Sequence, residues 1–330
     1  MHAFHDRSPQ HILAQLSAEV DVLAATLSRP LSLVGESDLN DPMVITPRDE
    51  GGWGLAAQWD DDVHHALHAL ISGERQGYYD DFGSLGCLAK VLTSAFFHDG
   101  SYSTFRGRTH GAPVDRARTP GWRFVASLQN HDQIGNRAVG DRLPELVSPG
   151  LLAVGAVLLL TSPFTPMLFM GEEWAASTRW PFFTSHPEPE LAEAVGTGRL
   201  AEFAEHGWDV SDLLDPQDPA AYASAILDWA ETGRPGHAEI LSLYQRLIAL
   251  RSEEPDLRDG DLRRVRVELS EDERWVIVHR GGFRVVANLS DVPRTIDGVA
   301  GAIVLSTGDC TLGPGAITMA PEAAAIVRRP

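Results

Sequence analysis

Apolar residues fall into two kinds of block along the first 180 positions. Ile12, Leu13, Leu16, Val20, Leu23 and Leu27 recur at helical spacing, with Ser8-Pro9 as a start signal and Pro30 as a stop. Residues 31–35 form a short continuous apolar run that predicts a buried strand. Residues 54–59 predict a second strand, followed by helices over about 63–71 and 84–97. The run 122–128 is the clearest strand, 149–161 reads as a buried helix, and 167–170 as the next strand. Strands that are apolar nearly throughout, alternating with helices, predict a parallel sheet covered on both faces.

The texture changes after residue 179. Residues 188–255 are rich in Ala, Glu and Leu and predict helices. From Leu262 onward, the segments 265–267, 275–278, 284–287 and 302–305 are short strands split by Gly, Asp or Asn turns, which predicts a small antiparallel β domain. The division falls near residue 258, with an α/β part over 1–257 and an all-β part over 258–330. Neither part shows an internal repeat.

A length of 330 residues suffices for one large domain plus a small one. At 43% apolar and 22% charged residues, the composition is that of an ordinary globular protein. The formal net charge of −19 argues against nucleic acid and against an anionic membrane surface, because both require a basic footprint. It suits a neutral ligand such as a sugar. Cys87 and Cys310 mark no disulfide framework, the first residues show no signal-peptide pattern, and the apolar run 151–160 is too short to span a bilayer. The expected location is the cytoplasm.

Polar clusters close the apolar runs. Run 31–35 leads into Glu36, and run 122–128 leads into Gln129-Asn130-His131-Asp132-Gln133-Ile134-Gly135-Asn136. Barrel enzymes place their chemistry at the C-terminal ends of parallel strands, and cleavage of a glycosidic bond needs a pair of carboxylates. On pattern alone, each cluster reads equally as a hydrogen-bonded polar turn. Gln58-Trp59-Asp60-Asp61-Asp62-Val63-His64-His65 is a third cluster, with Trp59 as a platform for a sugar face. His64 and His68 have the spacing of helical zinc ligands, but His65 stands where that motif carries glutamate. No metal or organic cofactor is indicated. Glu172-Glu173 end another apolar run, and Gly196-x-Gly198 follows no strand and is not a nucleotide loop.

Six stretches, in order, resemble the maltooligosyltrehalose trehalohydrolases of the α-amylase superfamily: His2 to Asp6, Gly35 to Asp41, Gln58 to His68, Gly73 to Tyr79, Gln129 to Asn136, and Phe169 to Glu173. The resemblance implies an α/β fold, the C-terminal half of a (β/α)8 barrel (strands five to eight), followed by a small antiparallel β-sandwich domain. It implies a retaining hydrolase with Glu36 as general acid/base and Asp132 as the carboxylate that stabilises the transition state. His2, Gln58, Trp59, Asp62, His131, Gln133 and Asn136 match substrate-binding positions. The implied substrate is an α-glucan ending in trehalose, cut at the adjoining α-1,4 bond to release trehalose. A branching enzyme is the runner-up, and the block after Glu36 does not match it.

The family's nucleophilic aspartate stands in a stretch reading Asp-Ala-Val-His-Ala, whereas this chain begins Met1-His2-Ala3. Aligning Met1 with that valine places the nucleophile two positions upstream. The expectation is therefore a C-terminal part without barrel strands one to four. Alone it would be nearly inactive and prone to aggregate at an unpaired edge. It would instead bind maltooligosaccharides without cleaving them, or complement a separately made N-terminal half.

Overall fold

The computed structural model describes residues 4–205 and 214–330. In chain order, α1 (Ile12–Leu27), β1 (Val34–Gly35), β2 (Ala57–Trp59), α2 (Asp61–Ser72) and α3 (Leu85–Ser94) come first. The hairpin β3 (Ser101–Ser103) and β4 (Arg108–His110) precedes β5 (Phe124–Ser127), α4 (His131–Gly135), α5 (Leu143–Leu146), α6 (Pro149–Leu160) and β6 (Thr165–Met167). Then come α7 (Pro189–Glu205), α8 (Pro219–Ser224), α9 (His237–Glu253) and α10 (Pro255–Arg258). Strands β7 (Arg266–Ser270), β8 (Trp275–Arg280), β9 (Phe283–Asn288), β10 (Arg294–Asp297), β11 (Ala302–Ser306), β12 (Cys310–Leu312), β13 (Ala316–Met319) and β14 (Ala323–Arg328) complete it. No helix among the described residues is long and apolar enough to cross a membrane.

The chain divides into two compact units. Of the described residues, the first comprises 4–128, 153–167 and 247–330, and the second 129–152, 168–205 and 214–246.

In the first unit, β1, β2, β5 and β6 form a parallel sheet in that order. Its centre follows the sequence reading, with Phe124 and Ala126 of β5 fully buried. The edge does not. Strand β1 has two residues, and Val34 is 47% exposed because only β2 flanks it. The strand expected over 167–170 lies earlier, at Thr165–Met167, and Gly171 turns the chain at φ 84°. Trp122 sits in a 3-10 turn ahead of β5 and is half exposed.

Helix α1 occupies the expected span, but its N-cap is His11, whose Nδ1 accepts the Leu13 N–H at 3.2 Å. Ser8-Pro9 lies in the preceding turn, where Asp6 takes the N–H groups of Ser8 and Ile12. Leu13, Ala14 and Ser17 are buried, whereas Ile12, Leu16, Val22, Leu23 and Leu27 are exposed. The helix therefore presents a wider apolar stripe than its unit covers.

Helix α6 is apolar on all sides, and its residues 154–160 are buried. Gly155 permits this packing, since a Cβ there would meet the δ-methyls of Ile71 and Leu128 at 3.0 Å. Arg251 of α9 closes the C-terminal end of α6. Its guanidinium donates to the carbonyls of Leu160, Ser162, Phe164 and Leu257 at 2.7 to 2.9 Å. Such cations satisfy the carbonyls a helix end leaves unpaired, and burial pulls this one down to about 10.

The β-strand region forms as two antiparallel sheets, β11-β14-β9-β8-β7 and β10-β13-β12. Ile277, Val286, Ala325 and Val327 from the first meet Ile296, Ile317 and Met319 from the second in one apolar cluster, the layer structure of a sandwich. Four of these strands, β10, β12, β13 and β14, were not individually predicted.

Candidate active site

In the first unit, the parallel register aligns Gly35 with Gln58 and Gln58 with Phe124. The residues that follow β1 and β2 therefore leave neighbouring strand ends on one edge of the sheet. Glu36 is the first of them and is exposed. The loop behind it is tightly held. Ser37 is buried and its Oγ accepts the Leu39 N–H at 3.2 Å. The Asp38 carboxylate pairs with Arg106 at 3.1 Å, and its carbonyl oxygen lies 2.8 Å from His110 Nε2.

Asn40 adopts a left-handed backbone at φ 51°, which Asn tolerates better than most residues. Its amide donates to Asp62 Oδ2 at 2.8 Å and to the His98 carbonyl at 3.1 Å. Asp62 Oδ2 also accepts the N–H groups of Phe97 and His98, both at 2.8 Å. This carboxylate, 4% exposed, is thus an internal brace joining three segments. Burial pushes its pKa up against the pull of those donors. Asp60 caps α2 through Oδ1 and the Val63 N–H at 3.2 Å. Its Oδ2 has no partner among the described residues, and burial, reinforced by the Asp62 charge, holds its carboxyl well above the usual range. Gln58 is fully buried, donates to the Asp41 carbonyl at 3.3 Å and leaves Oε1 unpartnered among the described residues. Trp59 is half-buried.

The histidines of α2 face a packed aromatic cluster. His68 lies 2.6 Å from Glu74 and stacks on Tyr79 at 4.6 Å, and His65 packs against Tyr78, Tyr79 and Phe82. Burial lowers the pKa of His65 to about 3 and pulls that of His64 well below its ordinary value. Among the described residues, no three His, Cys, Asp or Glu side chains converge as a metal site would require.

The second unit carries Asp132. Asn130 caps the short helix α4 with its Oδ1, accepting from the N–H groups of Asp132 at 2.9 Å and Gln133 at 3.3 Å. This cap turns His131, Asp132 and Asn136 outward, where all three are exposed, while Gln133 is buried. Asn136 Nδ2 donates to Asp132 Oδ1 at 2.6 Å. His2, also expected at the site, lies outside the described residues. Deeper in this unit, Glu172 is 1% exposed and accepts the Tyr244 hydroxyl at 2.8 Å. Burial pushes its carboxyl up to about 8.

Sequence reasoning missed Asn40, Arg106, Asn130 and Arg199. Asn130 was inside the recognised block and fits the N-cap preference. Arg106 and Arg199 lie 68 and 63 residues from their partners Asp38 and Asn136, and no local pattern signals either pairing.

A parallel α/β region with carboxylates at strand ends, followed by an antiparallel sandwich, has close counterparts. A crystal structure of an α-amylase-type protein from Salmonella typhimurium superposes with a TM-score of 0.85 at 29% identity, covering 100% of this chain and 56% of that one. Residues 260–326 match a family described as a domain of unknown function (DUF3459). Over its whole length the chain is thus similar to an α-amylase-type protein. The malto-oligosyltrehalose trehalohydrolase of Rhizobium sp. (strain M-11) is 50% identical over 329 residues, 99% of this chain and 55% of that protein. The enzyme of the same name from Arthrobacter ramosus is 51% identical over 328 residues, 99% of this chain and 56% of that protein. The chain is a homologue of these trehalohydrolases and spans about half the length of the curated relatives it matches.

Proposed function

We propose that this chain contributes the acid/base half of a retaining α-glucan hydrolase site that releases trehalose from maltooligosyltrehalose. Its α/β region corresponds to barrel strands five to eight, with β1, β2, β5 and β6 in those places, and the sandwich begins near residue 258. Glu36 acts as general acid/base, and Asp132 stabilises the positive charge that develops on the sugar. Trp59, His131, Gln133, Asn136 and His2 engage the glucan, while Gln58 and Asp62 act through the loops they hold. The observation that carries this reading is the register of Gly35 with Gln58 on adjacent parallel strands, which Glu36 follows directly, together with the resemblance along 99% of the chain.

A retaining mechanism also needs a nucleophile. We assign it to the part of the relatives outside the matched half, whether in one longer polypeptide or in a separately made partner. The test is trehalose release from maltotriosyl-trehalose by the 330-residue chain alone and after mixing with that other half. The expected outcome is negligible release alone, release on mixing, and loss of that release in Glu36→Gln and Asp132→Asn. Release that survives both substitutions would overturn the assignment. The outward-facing His131, Asp132 and Asn136 also favour a second reading, binding of maltooligosaccharide without cleavage. Calorimetric binding to the chain, with no hydrolysis on mixing, would support it.

A further inference from the structure

The geometry points to Arg199 of α7 as a positioning residue for Asp132, acting through the side-chain amide of Asn136. Arg199 Nη2 donates to Asn136 Oδ1 at 2.6 Å and to the carbonyl of Gly135, in the last turn of α4, at 3.0 Å. Its guanidinium lies over the Phe182 ring, 4.3 Å from the centroid. The ring and the Gly135 carbonyl hold the guanidinium in one plane and one place, which suits the rigid fork of arginine better than a lysine ammonium.

The chemistry of the groups makes this contact directional. A guanidinium has donors and no acceptor, so only the oxygen of the Asn136 amide can face it. With the oxygen held there, the NH2 group must point the other way. On that side it meets Asp132 Oδ1 at 2.6 Å. A carboxylate accepts and a guanidinium donates, so both neighbours select the same amide orientation. Flipping the amide would break both bonds at once and set oxygen against oxygen. Arg199 therefore fixes one oxygen of an exposed carboxylate without touching it, leaving the other to face a ligand. A carboxylate meant to stabilise transient positive charge benefits from being held in place before the charge appears.

This inference rests on the reading of Asp132 as a glucan-facing carboxylate, and its test separates the two. The side-chain amide of Asn136 is followed by NMR in the ligand-free chain. Arg199→Ala is expected to speed its hydrogen exchange about ten-fold, the loss of one charge-assisted hydrogen bond. Arg199→Lys, which keeps a charged donor but not the fork, is expected to fall between. Maltotriosyl-trehalose affinity is then measured in a double-mutant cycle. Arg199→Ala should weaken binding in the wild-type background and change it less than about two-fold once Asn136→Ala is present, because the path has been cut.

An amide indifferent to Arg199→Ala, with the backbone spectrum otherwise preserved, overturns the proposal. So does an equal loss of affinity in both backgrounds, which would mean that Arg199 acts on its own. If Arg199→Ala loses the backbone spectrum altogether, the Arg199→Lys comparison and its cycle decide by the same criteria. If the amide responds but the wild-type chain binds no glucan, the brace stands and the reading of Asp132 falls.

Discussion

The two units bury ionisable groups in opposite combinations. The first combines raised carboxyls and lowered imidazoles within one short stretch, Asp60 and Asp62 ahead of His64 and His65. The second buries Glu172 against Tyr244, two acids that both resist ionisation. The signs differ accordingly. Glu172 keeps its proton up to about pH 8, while an unfolded glutamate releases it near 4.5. The stability it contributes is thus fully present below about 4.5 and is lost as pH rises to about 8. His65 stays neutral down to about 3, while an unfolded histidine takes up a proton near 6.5. Its contribution is therefore present above about 6.5 and is lost as pH falls toward 3. In the first unit the raised carboxyls oppose the histidines, so its net slope is a difference of two terms. In the second, Glu172 and Tyr244 act in one direction, and the carboxyl of Glu231, lowered by its Ser177 hydrogen bonds, acts in the other.

A second contrast sharpens the first. Asp62 and Asp132 each follow a parallel strand, yet one is a buried brace with three donors and the other is exposed with one amide. The largest expected effect is Asp62→Ala. It strands two backbone N–H groups and the Asn40 amide and should cost about 3 kcal/mol or more in urea unfolding. Asp132→Asn should change stability by less than about 0.5 kcal/mol. Equal losses at the two positions would erase the distinction. Next, Glu172→Gln should flatten the loss of stability between pH 5 and 8, worth on the order of 3 kcal/mol in the native chain. Hydrogen exchange of residues 169–176 against pH reads this directly, and an unchanged profile would show that the carboxyl is ionised in the fold.

Asp60→Asn keeps an oxygen for the Val63 N–H but removes the proton it must hold. It should stabilise the first unit by roughly 1 kcal/mol at pH 7 and leave a bare decline in acid, visible as faster exchange in α2 below pH 6. A profile parallel to wild type would mean that the imidazoles, not the carboxyls, set the slope. The smallest effect is expected at α1, where Val22→Glu should move unfolding by less than about 0.5 kcal/mol and reduce self-association in sedimentation.

What the sequence made legible follows from how each element is stabilised. Strand β5 and helix α6 bury residues all round, so their apolar runs announced them. Strand β1 is held by one neighbour and two residues, and its burial could not be read from Leu31 to Val34. The strands β10, β12 and β13 alternate, with threonines facing out such as Thr295 opposite Thr318, but over only three or four residues each, too short a run to stand out. At the site, Glu36 and Asp132 stood out because each ends an apolar run. The partners that hold their loops did not, because Asn40, Arg106 and Arg199 act across distance in sequence, where periodicity carries no information. The inward turn of Asp62 was hidden for the same reason. Its donors come from Asn40, Phe97 and His98, and only the fold assembles them.

Arg251 also sets a clock for synthesis. The carbonyl it takes from Leu160 is made 91 residues earlier. At ribosomal rates of roughly 5 to 20 residues per second that interval is about 5 to 18 seconds. During it the end of α6 waits with its carbonyls unclosed, and the first unit cannot finish before the second has been translated through its midst. The order of segments along the chain thus places the synthesis of the second unit inside that of the first, and the nascent protein passes through a long stage in which all four strands of the parallel sheet are present while α6 lacks its closing cation.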